Sequence, residues 1–262
     1  RASALEMLPR SSANLQANQI IEFVNHKNDL IRLASARAAI LVEPQFRGDI
    51  LAPLLRDKLR AIRVAAAQAL LGVPLKQQDL GDFSSSLDEL LSSNKTTAWR
   101  GEGMTNIGNL ASADNNQISA EIAFKATIEI DPYFAPGYIN LADLYRAKQR
   151  EDLVEKVLSA GITNTPNSAD VVYSHGLHLV RTKKLTQAIV EFKRAMVLDK
   201  NNPQFAYTYV LALDSGGESL QALNKLKGLI GLYQHTDSLK ELGLYLAQKN
   251  NDREAYQYFQ SY

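Results

Sequence analysis

Residues 169–202 read ADVVYSHGLHLVRTKKLTQAIVEFKRAMVLDKNN, and this segment recurs in altered form over about residues 98–262 with a period near 34 residues. Three columns of the repeat align without gaps. The small-residue column comprises Gly108, Ala142, Gly176, Val210 and Gly243. The alanine column comprises Ala120, Val154, Ala188, Ala222 and Ala255, and the bulky column, four residues further on, comprises Phe124, Leu158, Phe192, Leu226 and Phe259.

The residue types in these columns predict pairs of antiparallel helices. Two helices joined by a short turn approach closely only where small side chains meet, so we expect the small-residue column to face the alanine column. We expect the bulky column to fill the space between successive hairpins. Pro132, Pro166 and Pro203 mark the turns that end hairpins, because proline interrupts a helix. The predicted fold is all-α, an α-α superhelix formed as a right-handed solenoid of helical hairpins.

The three columns resemble those of the tetratricopeptide repeat in five consecutive copies, and the fullest match is residues 169–202. Members of that family present a concave groove to other proteins. The resemblance therefore implies a non-catalytic scaffold that binds a peptide or protein segment in this groove.

A second repeat, with an offset of 31 residues, occupies the start of the chain. It aligns NDLIRLASARAAIL (28–41) with DKLRAIRVAAAQALL (57–71), each with an acidic residue expected to begin a helix and an alanine stripe expected to pack closely. Residues 17–25 and 48–56 are predicted to be the partner helices. This pattern resembles HEAT repeats. We therefore predict HEAT-like repeats over residues 1–78, a joint with one short helix (about 85–93) over 79–97, and tetratricopeptide-type repeats over 98–262.

The order of these segments also resembles the C-terminal part of bacterial multihaem c-type cytochromes, in which a CxxCH-containing haem domain precedes such repeats. The segments that carry this resemblance are RASALEML (1–8), NDLIRLASARAAI, DILAPLLRDKLRAIRVAAAQAL (49–70) and DPYFAPGYINLADLYR (131–146). It implies an alternative function, a periplasmic docking or positioning module for an upstream haem domain. The chain begins with Arg1 rather than Met, so we expect it to be a piece of a longer protein.

Composition excludes several kinds of function. Cysteine is absent, which excludes disulfides, thiolate metal sites and covalent haem attachment within this chain. The net charge of +1 provides no general attraction to nucleic acid, and no run approaches the roughly 18 apolar residues that span a bilayer. The densest basic cluster, Arg56, Lys58, Arg60 and Arg63, is interpreted as a solvated helix face, with docking of an acidic neighbour as the alternative.

Residues that recur every 34 positions on the first helices form ladders along the concave surface of a solenoid. Asparagine offers a donor and an acceptor to an extended backbone, and tyrosine offers a stacking surface with a hydroxyl group. The alternative is that the tyrosines and leucines pack against the next hairpin. The candidate protein-binding residues are Asn106, Asn109, Asn140, Asp143, Arg146, Tyr173, Leu177, Arg181, Tyr207, Thr208 and Leu211.

Some tetratricopeptide proteins hold a C-terminal carboxylate with two asparagines and three cations. Here Asn109 and Asn140 occupy the asparagine positions, but Thr105, Asp170 and Ser174 stand where cations are needed. A desolvated carboxylate would lack charge-assisted partners, so we predict no carboxylate receptor of this kind.

The four histidines are His26, His175, His178 and His235. His175 and His178 are three residues apart and could offer two imidazoles to a metal ion. Because His175 occupies an otherwise apolar column and no third ligand is evident, a packed, hydrogen-bonded histidine pair is favoured. We also find no Ser-His-Asp arrangement and no phosphate-binding loop, and so predict no catalytic site, no metal and no cofactor in this chain.

Overall fold

A computed structural model describes residues 2–8, 15–233 and 237–261 of the chain. In that part of the chain the secondary structure consists of α-helices and short 3-10 turns, with no β-strand. The prediction of an all-α fold of helical hairpins is confirmed. Arg1, His235 and Tyr262 lie outside the described residues. The chain divides into two compact units, Arg1–Ala126 and Thr127–Tyr262, which are described in turn.

The first unit is a succession of packed helices, with α3 against both α1 and α5, and α6 against both α5 and α7. The last of them, α8, continues past the unit boundary. The helices are α1 (Ala2–Met7), α2 (Ala17–Val24), α3 (Asp29–Ala38), α4 (Pro44–Leu51), α5 (Arg60–Ala69), α6 (Leu80–Thr97), α7 (Gly101–Ala113) and α8 (Gln117–Ile130).

The two alanine stripes form the core of this unit. Ala34, Ala36 and Ala38 of α3 and Ala65, Ala67 and Ala69 of α5 are buried. Small side chains on both helices allow α3 and α5 to pack closely, and Ile20, Leu51 and Ile62 complete the core. The expected role of the alanines in helix packing is therefore observed.

Three helix predictions for this unit need correction. Residues 48–56 are the end of α4 and a 3-10 turn (Ala52–Arg56), because Pro53 lacks the N–H that would continue the α-helix. Asp57 does not begin α5; it lies three residues before the helix, and its Oδ1 accepts a hydrogen bond from the Leu59 N–H. The short helix expected at 85–93 is the 18-residue α6. Its serines have low intrinsic helix propensity, but packing against α5 and α7 stabilises the longer helix.

The second unit contains four further helical hairpins. Each consists of two helices joined by a tight turn, and consecutive helices pack against each other. The hairpins are α9 (Ala135–Ala147) with α10 (Glu151–Asn164), α11 (Ala169–Arg181) with α12 (Leu185–Leu198), α13 (Pro203–Ser215) with α14 (Ser219–Leu229), and α15 (Asp237–Lys249) with α16 (Arg253–Gln260).

The turn inside each hairpin has one residue in the left-handed region, and these residues recur every 34 positions. In the hairpin α11–α12, Lys183 has φ +62°, and the Lys184 N–H donates to the Leu179 carbonyl over 2.8 Å, closing α11; α7 and α8 of the first unit form a hairpin with the same kind of turn. The corresponding residues are Asn115, Gln149, Gly217 and Asn251. Only one is glycine, so the other four hairpins tolerate strain that a glycine would relieve.

The glycines of the small-residue column lie against the bulky residue of their own hairpin, a contact that the sequence did not predict. A Cβ atom placed on Gly176 would lie 2.6 Å from the Phe192 ring, and Gly243 stands in the same relation to Phe259. In the first unit, Gly108 faces Phe124 in the same way. The phenylalanine ring therefore fills the space left by the missing side chain of glycine in its own hairpin.

Candidate functional site

The first helices of the second unit carry most of the predicted binding residues. On α9 lie Asn140, Asp143 and Arg146; on α11 lie Tyr173, Leu177 and Arg181; on α13 lie Tyr207, Thr208 and Leu211. Asn106 and Asn109 lie on α7 of the first unit.

A shallow surface cleft of about 20 Å³, where α9 and α11 pack against each other, brings four of the predicted residues together. These four are Asp143 and Arg146 from α9 and Leu177 and Arg181 from α11, and Ser174 lies beside them. The remaining walls are Ala142, Val154 and Leu158. The cleft therefore combines an apolar floor with two guanidinium groups and one carboxylate at its rim.

The charged groups of the cleft form only weak ion pairs. Arg146 Nη2 lies 3.1 Å from Asp143 Oδ1 on the same helix, and these side chains are 45% and 55% exposed. An exposed pair of this spacing contributes only about 0.3–0.5 kcal/mol. Arg181 Nε lies 3.7 Å from Glu151 Oε1, which is a loose contact. A ligand acceptor could therefore replace either carboxylate at small cost.

The two tyrosines of the predicted ladder are half-buried and contribute to packing. The Tyr173 ring lies 4.9 Å from that of Phe205 and 5.6 Å from that of Phe192, and its hydroxyl lies 3.2 Å from Thr208 Oγ1. Tyr207 packs against the same hydrophobic core. Tyr173 thus joins the hairpin α11–α12 to α13, in agreement with the alternative that the tyrosines pack against the next hairpin. Part of each tyrosine side chain remains accessible.

A cluster of two histidines and three glutamates lies next to the cleft, where Arg181 contacts Glu151. His178, only 1% exposed, has Nδ1 2.8 Å from Glu151 Oε2 and Nε2 2.9 Å from Glu155 Oε2. His175 has Nε2 3.4 Å from Glu155 Oε1 and Nδ1 3.4 Å from Glu191 Oε1. His178 is packed and hydrogen-bonded, as interpreted from sequence. The glutamates were missed because they lie on α10 and α12, outside the helix that carries both histidines.

Glu155 is the acid that both histidines share. Burial would raise its pKa, but hydrogen bonding to His175 and the charges of His175 and His178 outweigh burial and lower the pKa below its ordinary value. Glu155 therefore stays ionised. Among the described residues, no group of His, Asp or Glu has the arrangement of a metal site.

Comparisons with known proteins identify the fold. No family model and no curated protein matches the sequence. Yeast Tom70 is similar with a TM-score of 0.63 and 17% identity over 91% of this chain and 52% of that one. Pseudomonas aeruginosa pilF is similar with a TM-score of 0.53 and 16% identity over 76% of this chain and 88% of that one. YrrB, described as a TPR protein with an unusual peptide-binding site, is similar with a TM-score of 0.48 and 18% identity over 64% and 87%.

The fold is of the tetratricopeptide type. This agrees with the 34-residue period and with the glycine–phenylalanine contacts inside the hairpins. The comparisons do not show the resemblance to HEAT repeats or to multihaem c-type cytochromes. In the described part of the chain, no helix is long and apolar enough to cross a membrane.

The cations at the cleft between α9 and α11 occupy different sequence positions from those of a carboxylate receptor. Ser174, at one of the three predicted cation positions, lines the cleft and carries no charge, whereas Arg146 and Arg181 enter from other positions of their helices.

Three of the four cations of the basic cluster pair with carboxylates of the same unit, and the fourth, Arg60, donates a hydrogen bond to the Glu89 backbone carbonyl. Arg63 Nη2 lies 2.5 Å from Glu89 Oε1, and Arg56 Nε lies 2.5 Å from Asp82 Oδ2. Lys58 lies 3.4 Å from Asp29 Oδ1. This supports the interpretation of a structural helix face over that of a docking edge.

The first unit also contains a surface cavity that the sequence did not indicate. It measures about 520 Å³ and lies among α1, α3 and α5, bordered by Ser3, Glu6, Met7, Arg37, Ile40, Ala65, Gln68 and Ala69. The charges at its rim, Glu6 and Arg37, pair with each other over 2.9 Å. The exposed Met7 and Ile40 were the available signal, but isolated apolar residues on a surface are too common to single them out.

Proposed function

We propose that this chain is a non-catalytic scaffold that binds an extended segment of another protein across α9 and α11. The observation that carries the proposal is the cleft, because four of the predicted binding residues line it from two successive hairpins: Asp143 and Leu177 of one 34-residue ladder, and Arg146 and Arg181 of the same helix faces. Repeated first helices form the binding surface of stacked helical repeats, so convergence of ladder residues at this place is expected of a binding site.

The chemistry of the cleft favours a segment with one apolar side chain next to an acidic one. Leu177 offers an apolar contact, and the guanidinium groups of Arg146 and Arg181 offer planar sets of donors that match a carboxylate. Asp143 can accept a hydrogen bond from the backbone of the segment once Arg146 turns to the ligand.

A selection from a random peptide library on the purified full chain tests this proposal. The selected peptides should bind Arg146→Ala and Leu177→Ala about tenfold more weakly than the unchanged protein, since a few central side chains carry most of the binding energy. Lys193→Ala is the matched control, because Lys193 is exposed on α12 and does not line the cleft. Circular dichroism checks that each variant is folded. Equal affinity of both cleft variants and the control would contradict the proposal.

A further inference from the structure

His178 lies between two carboxylates that belong to the neighbouring hairpin. Its ring is almost completely buried on α11, with Nδ1 2.8 Å from Glu151 Oε2 and Nε2 2.9 Å from Glu155 Oε2. The contact at Nδ1 is a hydrogen bond, whereas the contact at Nε2 is short but poorly aligned. Both glutamates are on α10. The imidazole therefore links the hairpins α9–α10 and α11–α12.

The donors and acceptors around His178 match only if both nitrogens of its ring carry a proton. A neutral imidazole has one donor and one acceptor nitrogen, whereas an ionised carboxylate only accepts. With either nitrogen unprotonated, its lone pair would face a carboxylate oxygen within 2.9 Å. Glu155 Oε1 also accepts a hydrogen bond from the Ser159 hydroxyl over 3.2 Å, which favours the ionised form of this carboxylate.

The surrounding charges come from all the helices that pack on α11. The acids Glu151 and Glu155 lie on α10 and Glu191 on α12, while His175 and Arg181 share α11 with His178. Arg194 on α12 lies 3.9 Å from Glu191 Oε2. From α9, Asp143 and Arg146 border the cleft that Arg181 also borders. The acids nearest to His178 outnumber the permanent cations nearest to it, so the site favours the charged form of the imidazole.

We propose that His178 is an imidazolium in the folded protein and that its second ring proton stabilises the packing of α10 against α11. This contact between hairpins therefore depends on pH. The inference does not require that the cleft above binds a peptide. Where the unfolded chain has released the proton and the folded chain keeps it, the folded state binds one proton more, so stability falls as pH rises. The contact is intact in mild acid and weakens in mild alkali.

Nitrogen NMR of the histidine side chains tests the protonation state directly in the full chain. His26 is the internal control, because its Nδ1 accepts a hydrogen bond from the Asn28 N–H over 3.0 Å and must therefore lack a proton in that geometry. Signals are assigned through variants that lack one histidine at a time. At pH 7.5 we expect both nitrogens of His178 in the protonated range and those of His26 in the range of a neutral ring. A neutral His178 at this pH would overturn the proposal.

Hydrogen exchange of the α10 and α11 amides tests whether the protonated imidazole stabilises the contact between these two helices. The variant Glu151→Gln keeps the shape of the side chain, but its amide can donate to or accept from a neutral imidazole, so the need for a second proton disappears. Compared at equal pH, the protection of the unchanged protein relative to Glu151→Gln should fall up to about tenfold per pH unit once free histidine is neutral, above roughly pH 6.5. A ratio that stays constant from pH 6 to pH 9 would overturn the proposal. If this variant does not fold, the NMR result on the unchanged protein decides.

Discussion

The sizes of facing side chains are matched within each hairpin. Glycine in the small-residue column accompanies phenylalanine in the bulky column three times, at Gly108, Gly176 and Gly243. Where the column holds Ala142 or Val210, the bulky residue is leucine. Since interiors are close-packed, a larger side chain on the first helix is accommodated only by a smaller one on the second.

Replacing Gly176 with alanine tests this size matching. The new methyl group would lie 2.6 Å from the Phe192 ring, so we expect a loss of about 1–3 kcal/mol in the free energy of unfolding, measured with urea. Gly228→Ala is the control, because nothing lies within 4 Å of the added atom, and better helix propensity should add about 0.5–1 kcal/mol. Combining Gly176→Ala with Phe192→Leu should recover roughly 1 kcal/mol relative to the sum of the single effects. Strict additivity would show that the two side chains do not compete for space.

At the scale of elements, successive first helices of the second unit are joined by polar contacts. Tyr173 on α11 reaches Thr208 on α13, and Asp214 on α13 reaches Lys249 on α15. The Asp214 carboxylate is only 7% exposed and lies 2.6 Å from Lys249 Nζ. Burial would raise its pKa, but hydrogen bonds from Lys249 and Ser219 and the charge of Lys249 lower it below the ordinary value of 3.8.

Because the pKa of Asp214 is lowered, its contact with Lys249 should weaken in acid. A carboxylate with a depressed folded-state pKa contributes stability that is present above its ordinary pKa and is lost as pH falls through the folded value. Asp214→Asn should therefore cost about 1–3 kcal/mol in urea unfolding at pH 7, and the difference should shrink as pH falls below 3.8. Asp143→Asn, in an exposed pair, should change stability by less than about 0.5 kcal/mol. Equal losses at pH 7 and in acid would contradict the assignment.

At the scale of the whole molecule, stability depends on stacking of hairpins. A core cluster of the second unit extends from Val172 to Phe259, so the three hairpins from α11 to α16 bury their apolar surfaces against one another. One hairpin cannot bury its apolar surface alone, and about three repeats are needed for a stable stack.

Two fragments of the second unit test this dependence. Residues 127–262 contain four hairpins and should show cooperative loss of helical circular dichroism on heating. Residues 203–262 contain two, and their helical signal per residue should be less than about half of that of the longer fragment at 25 °C. Equal helicity in both would mean that a hairpin pair is stable without further stacking.

Much of the tetratricopeptide array could be predicted from the sequence, and less of the site. The three columns predicted which residues are buried, because a 34-residue period samples the same packing position in each hairpin. The ladder residues Asp143 and Leu177 meet at one cleft for the same reason, whereas Arg146 and Arg181 are 35 residues apart and do not follow the period. The period could not show which columns touch, and the contact of Gly176 with Phe192 depends on the approach of the two helices.

The all-α hairpins, their repeat length and the absence of thiol chemistry could be predicted from local periodicity and composition. Three contacts could not: His178 with Glu151 and Glu155, Tyr173 with Phe205, and the packing of α1, α3 and α5 around a cavity. These contacts join different helices. They depend on the distance and rotation between neighbouring helices, which side-chain packing sets and which no periodicity within one helix encodes.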